Sequence, residues 1–345
     1  MTTITSIPIA LLGFGNVGQA LATLLENKAD TLRADYGVAF PIVGIGTGRR
    51  GFAIDANGIR TDVAIAAVAS GDLDLLNHGE RIPDAQTFLA RVPAAIIAET
   101  TPLNTQNGQP ALDYLRLALR SGKHIVTANK GPLAFGYHEL RALAAEKQLG
   151  FGFEASVLGG APVIDLVREC LPAARIDRVS GVFNSTSNSI LDRMREGVSF
   201  DEAVREMQAR GLAETDPSHD VDGWDSTVKL VILANVLMGA DLRPADVDRT
   251  GIRGVTMEQQ RAAGVEGKTF RLLCEAVRVK GDVRASVRPL ALPASDPISH
   301  NAGPTNTILF ETDVIQLQVT EHHGTPTSTA YGMLRDLLNI ARSRV

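Results

Sequence analysis

The segment GLAETDPSHDVDGWDSTVK, Gly211 to Lys229, places five carboxylates, one histidine and one lysine within nineteen residues and runs straight into the apolar stretch LVILANVLMG. Three chemistries suit such a cluster: a metal loop, a solvated turn and an acid–base site. A calcium loop needs acids at positions 1, 3 and 5, glycine at 6 and a bidentate glutamate at 12. With Asp222 and Gly223 at positions 5 and 6, position 1 is Ser218 and position 12 is Lys229, a cation where the metal needs an acid. Zinc fails as well, because His219 has no second His or Cys at ligand spacing.

Asp216-Pro217 and Asp222-Gly223 are good turn formers, and Asp225 suits the positive end of a helix. A solvated turn does not account for Lys229. Asp225 and Lys229 stand at i and i+4 on one helix face, and that helix continues apolar nearly all round, the mark of a buried helix. A lysine entering such a helix needs a partner or a task. Burial and a neighbouring carboxylate pull a lysine's proton affinity in opposite directions. A lysine so balanced beside a nicotinamide can take or return the hydroxyl proton of a carbinol/carbonyl redox couple. Glu214 and Asp220 are then free to hold a substrate ammonium.

The first 155 residues supply the element pattern for the nicotinamide. IPIALLG, FPIVGIG, PAAIIAET, KHIVTAN and FGFEAS read as strands. Helical segments lie between them: NVGQALATLLENKADTLRADYG, ALDYLRLALRSG and YHELRALAAEKQLG. Apolar strands separated by helices imply an α/β Rossmann-type, doubly wound parallel sheet covered on both faces. The first strand–helix junction is GFGNVG, with Gly13, Gly15 and Gly18 spaced as G-x-G-x-x-G around Phe14, Asn16 and Val17. The first glycine permits a tight turn, the second a close pyrophosphate, the third close helix–strand packing. The second strand ends in GIGTGRRG, without the acid that NAD enzymes use on the ribose. Arg49 and Arg50 instead offer guanidinium forks for a 2′-phosphate, which predicts NADP over NAD. Two further strand ends carry Thr100 and Thr101 in ETTP, and Asn129 and Lys130 in TANKGPLA.

After Ser156 the pattern changes. LGGAPVIDLVREC, TSNSILDRMREG and SFDEAVREMQARG read as helices, the last with a Ser199/Glu202 capping box. IDRVSGVFNS, TFRLLCEAVRV, VRASVRPLAL, NTILFET and VIQLQVT read as strands, and GTPTSTAYGMLRDLLNIARSRV as a final helix. Helices mixed with hairpins imply an α+β domain on a mixed or antiparallel sheet.

Composition narrows the rest. The chain has 345 residues, 44% hydrophobic and 21% charged, with a net charge of −5. No basic stripe points to nucleic acid. No apolar run approaches the roughly 18 residues of a membrane helix, and the start lacks a signal-peptide pattern, so a cytoplasmic protein with no membrane partner is expected. Two distant cysteines, Cys170 and Cys274, make no disulfide framework.

The cluster resembles the signature of the homoserine dehydrogenase family, A-x3-G-[apolar]-[small]-x2,3-[DNS]-P-x2-D-[apolar]-x-G-x-D-x3-K. MQARGLAETDPSHDVDGWDSTVK matches it from Gly211 through Asp216, Pro217, Asp220, Gly223, Asp225 and Lys229. LLGFGNVG, TANKGPLA, FEASVLGGAPVI and GTPTSTAYGMLRDLL resemble further family segments, so the likeness spans nearly the whole chain. It implies NAD(P)-dependent interconversion of L-homoserine and L-aspartate 4-semialdehyde, a step towards threonine and methionine. Lys229 then matches the proton-transfer lysine, Asp225 its acid and Lys130 a second lysine at the substrate. Glu214, Asp220 and Thr186 match substrate contacts. The backbone oxygens of Glu154, Val157, Gly159 and Ala161 match a monovalent cation site for Na or K. The resemblance also implies a homodimer formed through the second domain (156–321), with a final helix (322–345) that returns to the nucleotide domain (1–155). Three positions depart from the family: Met207 stands for a small residue, Leu212 for an aromatic, and Ser185 for a glycine. The rival readings are another NADP-dependent oxidoreductase of an amino acid semialdehyde or alcohol, and a non-catalytic NADP-binding sensor.

Overall fold

Alternation along the strands decides how the first half of the chain is layered. The computed structural model describes residues 4–343, so the expected final helix to Val345 ends in two residues outside that range. The chain divides into two units, one built from the residues up to Gly160 with those from Thr325 onward, the other from Ala161–Gly324. The joints expected from the sequence lie a few residues earlier.

In the first unit the elements are β1 (Thr5–Ser6), β2 (Ile9–Leu12), α1 (Asn16–Asn27), α2 (Ala29–Tyr36), β3 (Val38–Ala39), β4 (Ile42–Gly46), β5 (Phe52–Ile54), α3 (Thr61–Ser70), α4 (Ala85–Arg91), β6 (Ile96–Glu99), α5 (Ala111–Arg120), β7 (His124–Thr127), α6 (Lys130–Glu146), β8 (Phe151–Gly152) and α7 (Ala155–Leu158). Six strands form one sheet in the order β5-β4-β2-β6-β7-β8, parallel except for β5 against β4. Ile9, Leu11, Ile45, Ile96, Ala98 and Val126 face one way and pack on α1, α3 and the closing helix Pro326–Arg342. Ala10, Leu12, Val43, Ile97 and Ile125 face the other way and pack on α4, α5 and α6. Strands buried on both faces need apolar residues at every position, which is why they read as continuous runs. The closing helix buries Ala330, Met333, Leu334, Leu337 and Ala341, the i, i+3, i+4, i+7 stripe of an amphipathic helix. Each such fully buried leucine is worth about 1.5–3 kcal/mol of apolar burial.

The second unit holds α8 (Ile164–Cys170), β9 (Ile176–Val182), α9 (Ser185–Arg195), α10 (Phe200–Ala209), α11 (Ser218–Val221), α12 (Trp224–Leu237), β10 (Asp248–Arg249), α13 (Met257–Val265), β11 (Lys268–Val279), β12 (Asp282–Pro293), β13 (Thr305–Thr312) and β14 (Gln316–His322). Its mixed sheet runs β10-β12-β11-β9-β13-β14, antiparallel but for β10 beside β12. Val179, Cys274, Ala276, Val287, Ile308 and Phe310 line one face and are fully buried. The opposite face carries Arg178 between Glu275 and Glu311, at 2.6 Å from each and about one-third exposed.

Several expected elements change shape. The long helix from Asn16 breaks at Lys28, where φ is −100° and ψ 3°, although Leu25 and Leu32 keep an apolar interval of seven that hides the break. The helix expected from Tyr137 begins at Lys130, with a kink at Gly136. Pro132 does not delay it, because first-turn N–H groups have no intrahelical partner to lose. FGFEAS is a strand only at Phe151–Gly152 and turns helical at Ala155. The last strand lies at Gln316–His322, two residues beyond expectation. GTGRRG is the turn of a hairpin from β4 into the antiparallel edge strand β5, which went unread in the sequence.

Candidate active site

The sheet order of the first unit reverses between β2 and β6, the switch point where doubly wound sheets bind ligands. Gly13 leaves β2 with φ +99°, and a Cβ there would meet the Thr100 backbone at 2.6 Å. Gly18 lies so close under the turn that a Cβ would come within 2.5 Å of the Gly13 oxygen. Gly15, by contrast, faces nothing within 4 Å. Thus two glycines close the turn and the third leaves an open cradle at the head of α1, where free N–H groups and the helix dipole favour a pyrophosphate. The Thr100 hydroxyl donates to Gly13 O at 2.9 Å and locks β6 to this turn.

Arg49 and Arg50 sit on the exposed Thr47–Gly51 turn. Thr47 holds that turn, its N–H donating to Gly51 O at 3.0 Å and its Oγ1 accepting from Arg50 N at 2.8 Å. Neither guanidinium is in an ion pair among the described residues.

Glu99 ends β6 fully buried. Its Oε1 accepts from Thr101 N at 2.7 Å, from the Thr101 hydroxyl, and from Asn129 Nδ2 at 3.3 Å. Its Oε2 accepts from Thr127 Oγ1 at 2.6 Å. Burial pushes the Glu99 carboxyl above the usual carboxylate range, and these hydrogen bonds oppose that shift. Asn129 caps α6 by accepting from Gly131 N at 3.0 Å. Lys130 is the first residue of that helix and is half-buried.

In the second unit α12 opens at Gly223 (φ +78°) and carries Lys229 almost wholly buried. Its ammonium lies 2.9 Å from Asp225 Oδ2 and donates to Phe183 O at 2.6 Å. An ammonium has three protons, so one N–H remains uncommitted among the described residues. Asn184, just past β9, accepts from Ser187 N at 2.8 Å and so caps α9. Its Nδ2 donates to Asp220 Oδ1 at 2.7 Å and to Asp225 Oδ2 at 3.1 Å. Thr186 Oγ1 donates to the Leu212 carbonyl at 2.8 Å, tying α9 to the loop before α11. Burial first, then the Asp225 charge, raise the Asp220 pKa, and bonds from Asn184 and Thr186 and the Lys229 charge oppose the shift.

The structure therefore brings Lys229, Asp225, Asp220 and Thr186 into one network. Glu214 stands on an exposed stretch, its carboxylate outside any ion pair among the described residues. Asp216 accepts from Ser218 N at 3.0 Å, and Asp222 pairs with Arg253, so both shape turns. Arg249 stacks 3.8 Å over Trp224 and donates to Asp222 O, which pins the loop from outside. Glu154 and Val157 are buried around α7, and Gly159 follows with φ +60°. The Glu154 carboxylate lies 3.3 Å from Arg335. Among the described residues no three His, Cys, Asp or Glu side chains group as a metal site.

Two central residues escaped the sequence reading. Asn184 was not read as a site residue, though an Asn before a helix is itself a capping signal. Glu99 is a lone acid closing an apolar strand, which is costly unless fully hydrogen-bonded.

Residues 13–154 match the family model described as homoserine dehydrogenase, NAD binding domain, and residues 162–338 the model described as homoserine dehydrogenase. A homoserine dehydrogenase of Methanocaldococcus jannaschii is 36% identical over 97% of this chain and 98% of its own. A protein of Pseudomonas canavaninivorans named NAD(+)-dependent homoserine dehydrogenase is 34% identical over 98% of this chain and 97% of its own. The solved structure of a hyperthermophilic archaeal homoserine dehydrogenase in complex with NADPH superposes with a TM-score of 0.83 at 29% identity, covering 98% of both chains.

The raised Asp220 pKa has a consequence for stability. The folded-state value lies above the unfolded one, so the penalty for ionising Asp220 is absent below the unfolded pKa and complete above the folded one. Asp220→Asn removes the ionisation and keeps an oxygen for Asn184. Its melting temperature, relative to the parent, should climb as pH rises from about 4 to about 7. A difference that stays flat or falls in thermal melts across that range would contradict the assignment.

Proposed function

This chain belongs to the homoserine dehydrogenase family, and from that premise we propose how its residues divide the interconversion of L-homoserine and L-aspartate 4-semialdehyde. The family comparisons favour this reaction over the other semialdehyde oxidoreductases and over a non-catalytic sensor. The observation that carries the residue roles is the Lys229 ammonium, held by Asp225 and by the Phe183 carbonyl with one N–H to spare.

When bound, the nicotinamide supplies the hydride to the aldehyde carbon or accepts it from the alcohol carbon. Lys229 serves the oxygen. In reduction its third N–H gives the proton to the carbonyl oxygen, and the neutral amine left behind is re-protonated from solvent. In oxidation the neutral amine takes the hydroxyl proton as the C–H bond breaks. Two fixed acceptors leave the ammonium little freedom to rotate, which aims the remaining N–H. Asp225 orients Lys229 and balances its charge. Asp220, Glu214 and Thr186 contact the substrate, the two carboxylates at its ammonium, with Thr186 also holding the stretch before Glu214 through Leu212 O and Lys130 as a second cation at the substrate. Thr186 reaches Leu212 through its carbonyl, so a leucine in place of an aromatic does not alter that link. Lys229→Met should cut NADPH oxidation with L-aspartate 4-semialdehyde by about a hundredfold or more, while NADPH binding, followed by its fluorescence, stays near the parent's. Turnover that survives the substitution would refute the proton-transfer role.

Gly13, Phe14, Gly15, Asn16, Val17 and Gly18 form the pyrophosphate turn in this reading, and Thr100 and Thr101 flank the nicotinamide. The open space at Gly15 fits the group. We assign NADP as the preferred cofactor, supported by two exposed, unpaired guanidiniums on the turn after β4. Arg49→Ala and Arg50→Ala should each lower the NADPH-over-NADH ratio of kcat/KM by roughly tenfold, as lost charge-assisted bonds do. Initial rates with both cofactors decide it, and an unchanged ratio would favour NAD.

The carbonyl oxygens of Glu154, Val157, Gly159 and Ala161 hold a monovalent cation in this proposal. The end of the short helix α7 supports it, because terminal carbonyls lack intrahelical partners and favour positive charge. Potassium or sodium chloride should raise the melting temperature above that in choline chloride at equal ionic strength, and equal values in all three salts would dismiss the site. A homodimer through the second unit is supported by the half-exposed sheet face around Arg178. A cytoplasmic location is supported by two free cysteines among the described residues. No helix of the described residues is long and apolar enough to cross a membrane.

A further inference from the structure

Glu99 lies outside the roles assigned above. It is fully buried and stands in register with Thr127 on β7. Every group around its carboxylate is committed as a donor. The Thr101 N–H and the Asn129 amide nitrogen can only donate. The Thr127 hydroxyl accepts from Asn129 N at 3.0 Å, so its own proton goes to Glu99. The Asn129 amide nitrogen is shared with the Thr101 carbonyl at 3.1 Å, a second acceptor-only group. Asn129 therefore has one orientation available: nitrogen towards Glu99 and Thr101 O, oxygen towards Gly131 N. That oxygen caps α6, whose first residue is Lys130.

We propose that Glu99 is a positioning residue for the reaction, its carboxylate setting the Asn129 rotamer and through that cap the placement of Lys130. The inference rests on the assignment of Lys130 to the substrate.

A double-variant cycle tests it. Glu99→Gln keeps the shape but sets an amide NH2 against groups that are themselves donors. Asn129→Asp keeps the capping oxygen but sets an acceptor against Glu99 and Thr101 O, and so provides an independent route to the same disturbance if Glu99→Gln folds poorly. Each should lower kcat for semialdehyde reduction about tenfold, while the NADPH dissociation constant by fluorescence stays within about twofold of the parent. If Glu99 acts through Lys130, Glu99→Gln combined with Lys130→Ala should be no slower than Lys130→Ala alone. A combined loss equal to the product of the two single losses would overturn the proposal. So would a lower melting temperature with unchanged kcat, or NADPH affinity falling in step with kcat. Lys130→Ala with parental turnover would instead remove the assignment of Lys130 on which the proposal rests.

Discussion

An ammonium inside an apolar helix must be solvated by the protein itself, since removing a charge from water without replacement partners costs several kcal/mol. Lys229 meets that demand with one carboxylate and one main-chain carbonyl. The carbonyl comes from Phe183, so β9 has to end where it does. The carboxylate comes from the preceding turn of α12, so the helix must start at Gly223 with Asp225 in its first turn. The loop before it has to bend twice, and Asp216, Asp222, Arg249 and Arg253 hold those bends.

Both units solve the problem of a buried acid with the same device. Asn184 and Asn129 each stand between a strand and a helix. Each accepts a backbone N–H with its oxygen, capping the helix, and each donates with its nitrogen to a carboxylate. Because an acceptor-only oxygen faces the amide nitrogen, the side chain has one orientation, and helix start and carboxylate are fixed together. The first unit uses this to tie the loops after β6 and β7. The second uses it to hold Asp220 and Asp225 within reach of Lys229.

What could be read from the sequence was what is local. Gly13, Gly15 and Gly18 act within six residues, and Asp225 and Lys229 within one helical turn, so spacing alone exposes them. The strands of the first unit were legible because burial on both faces forces continuous apolar runs. Asn184 and Glu99 were not, because their meaning comes from partners some 30 to 40 residues away. The break at Lys28 and the early start of α6 at Lys130 escaped for another reason. Apolar spacing reports which face is buried, and both helices keep that face through the change in backbone.

The exposed turn from Thr47 to Gly51 is closed by its own backbone and by Thr47, and Leu73 N donates to Arg50 O at 2.7 Å. Phe52, immediately after it, is anchored separately by Asp74 at 2.7 Å. Side chains at 49 and 50 therefore carry almost none of the fold's stability. The loop can therefore take other side chains at 49 and 50 without a compensating change in the two strands that it joins.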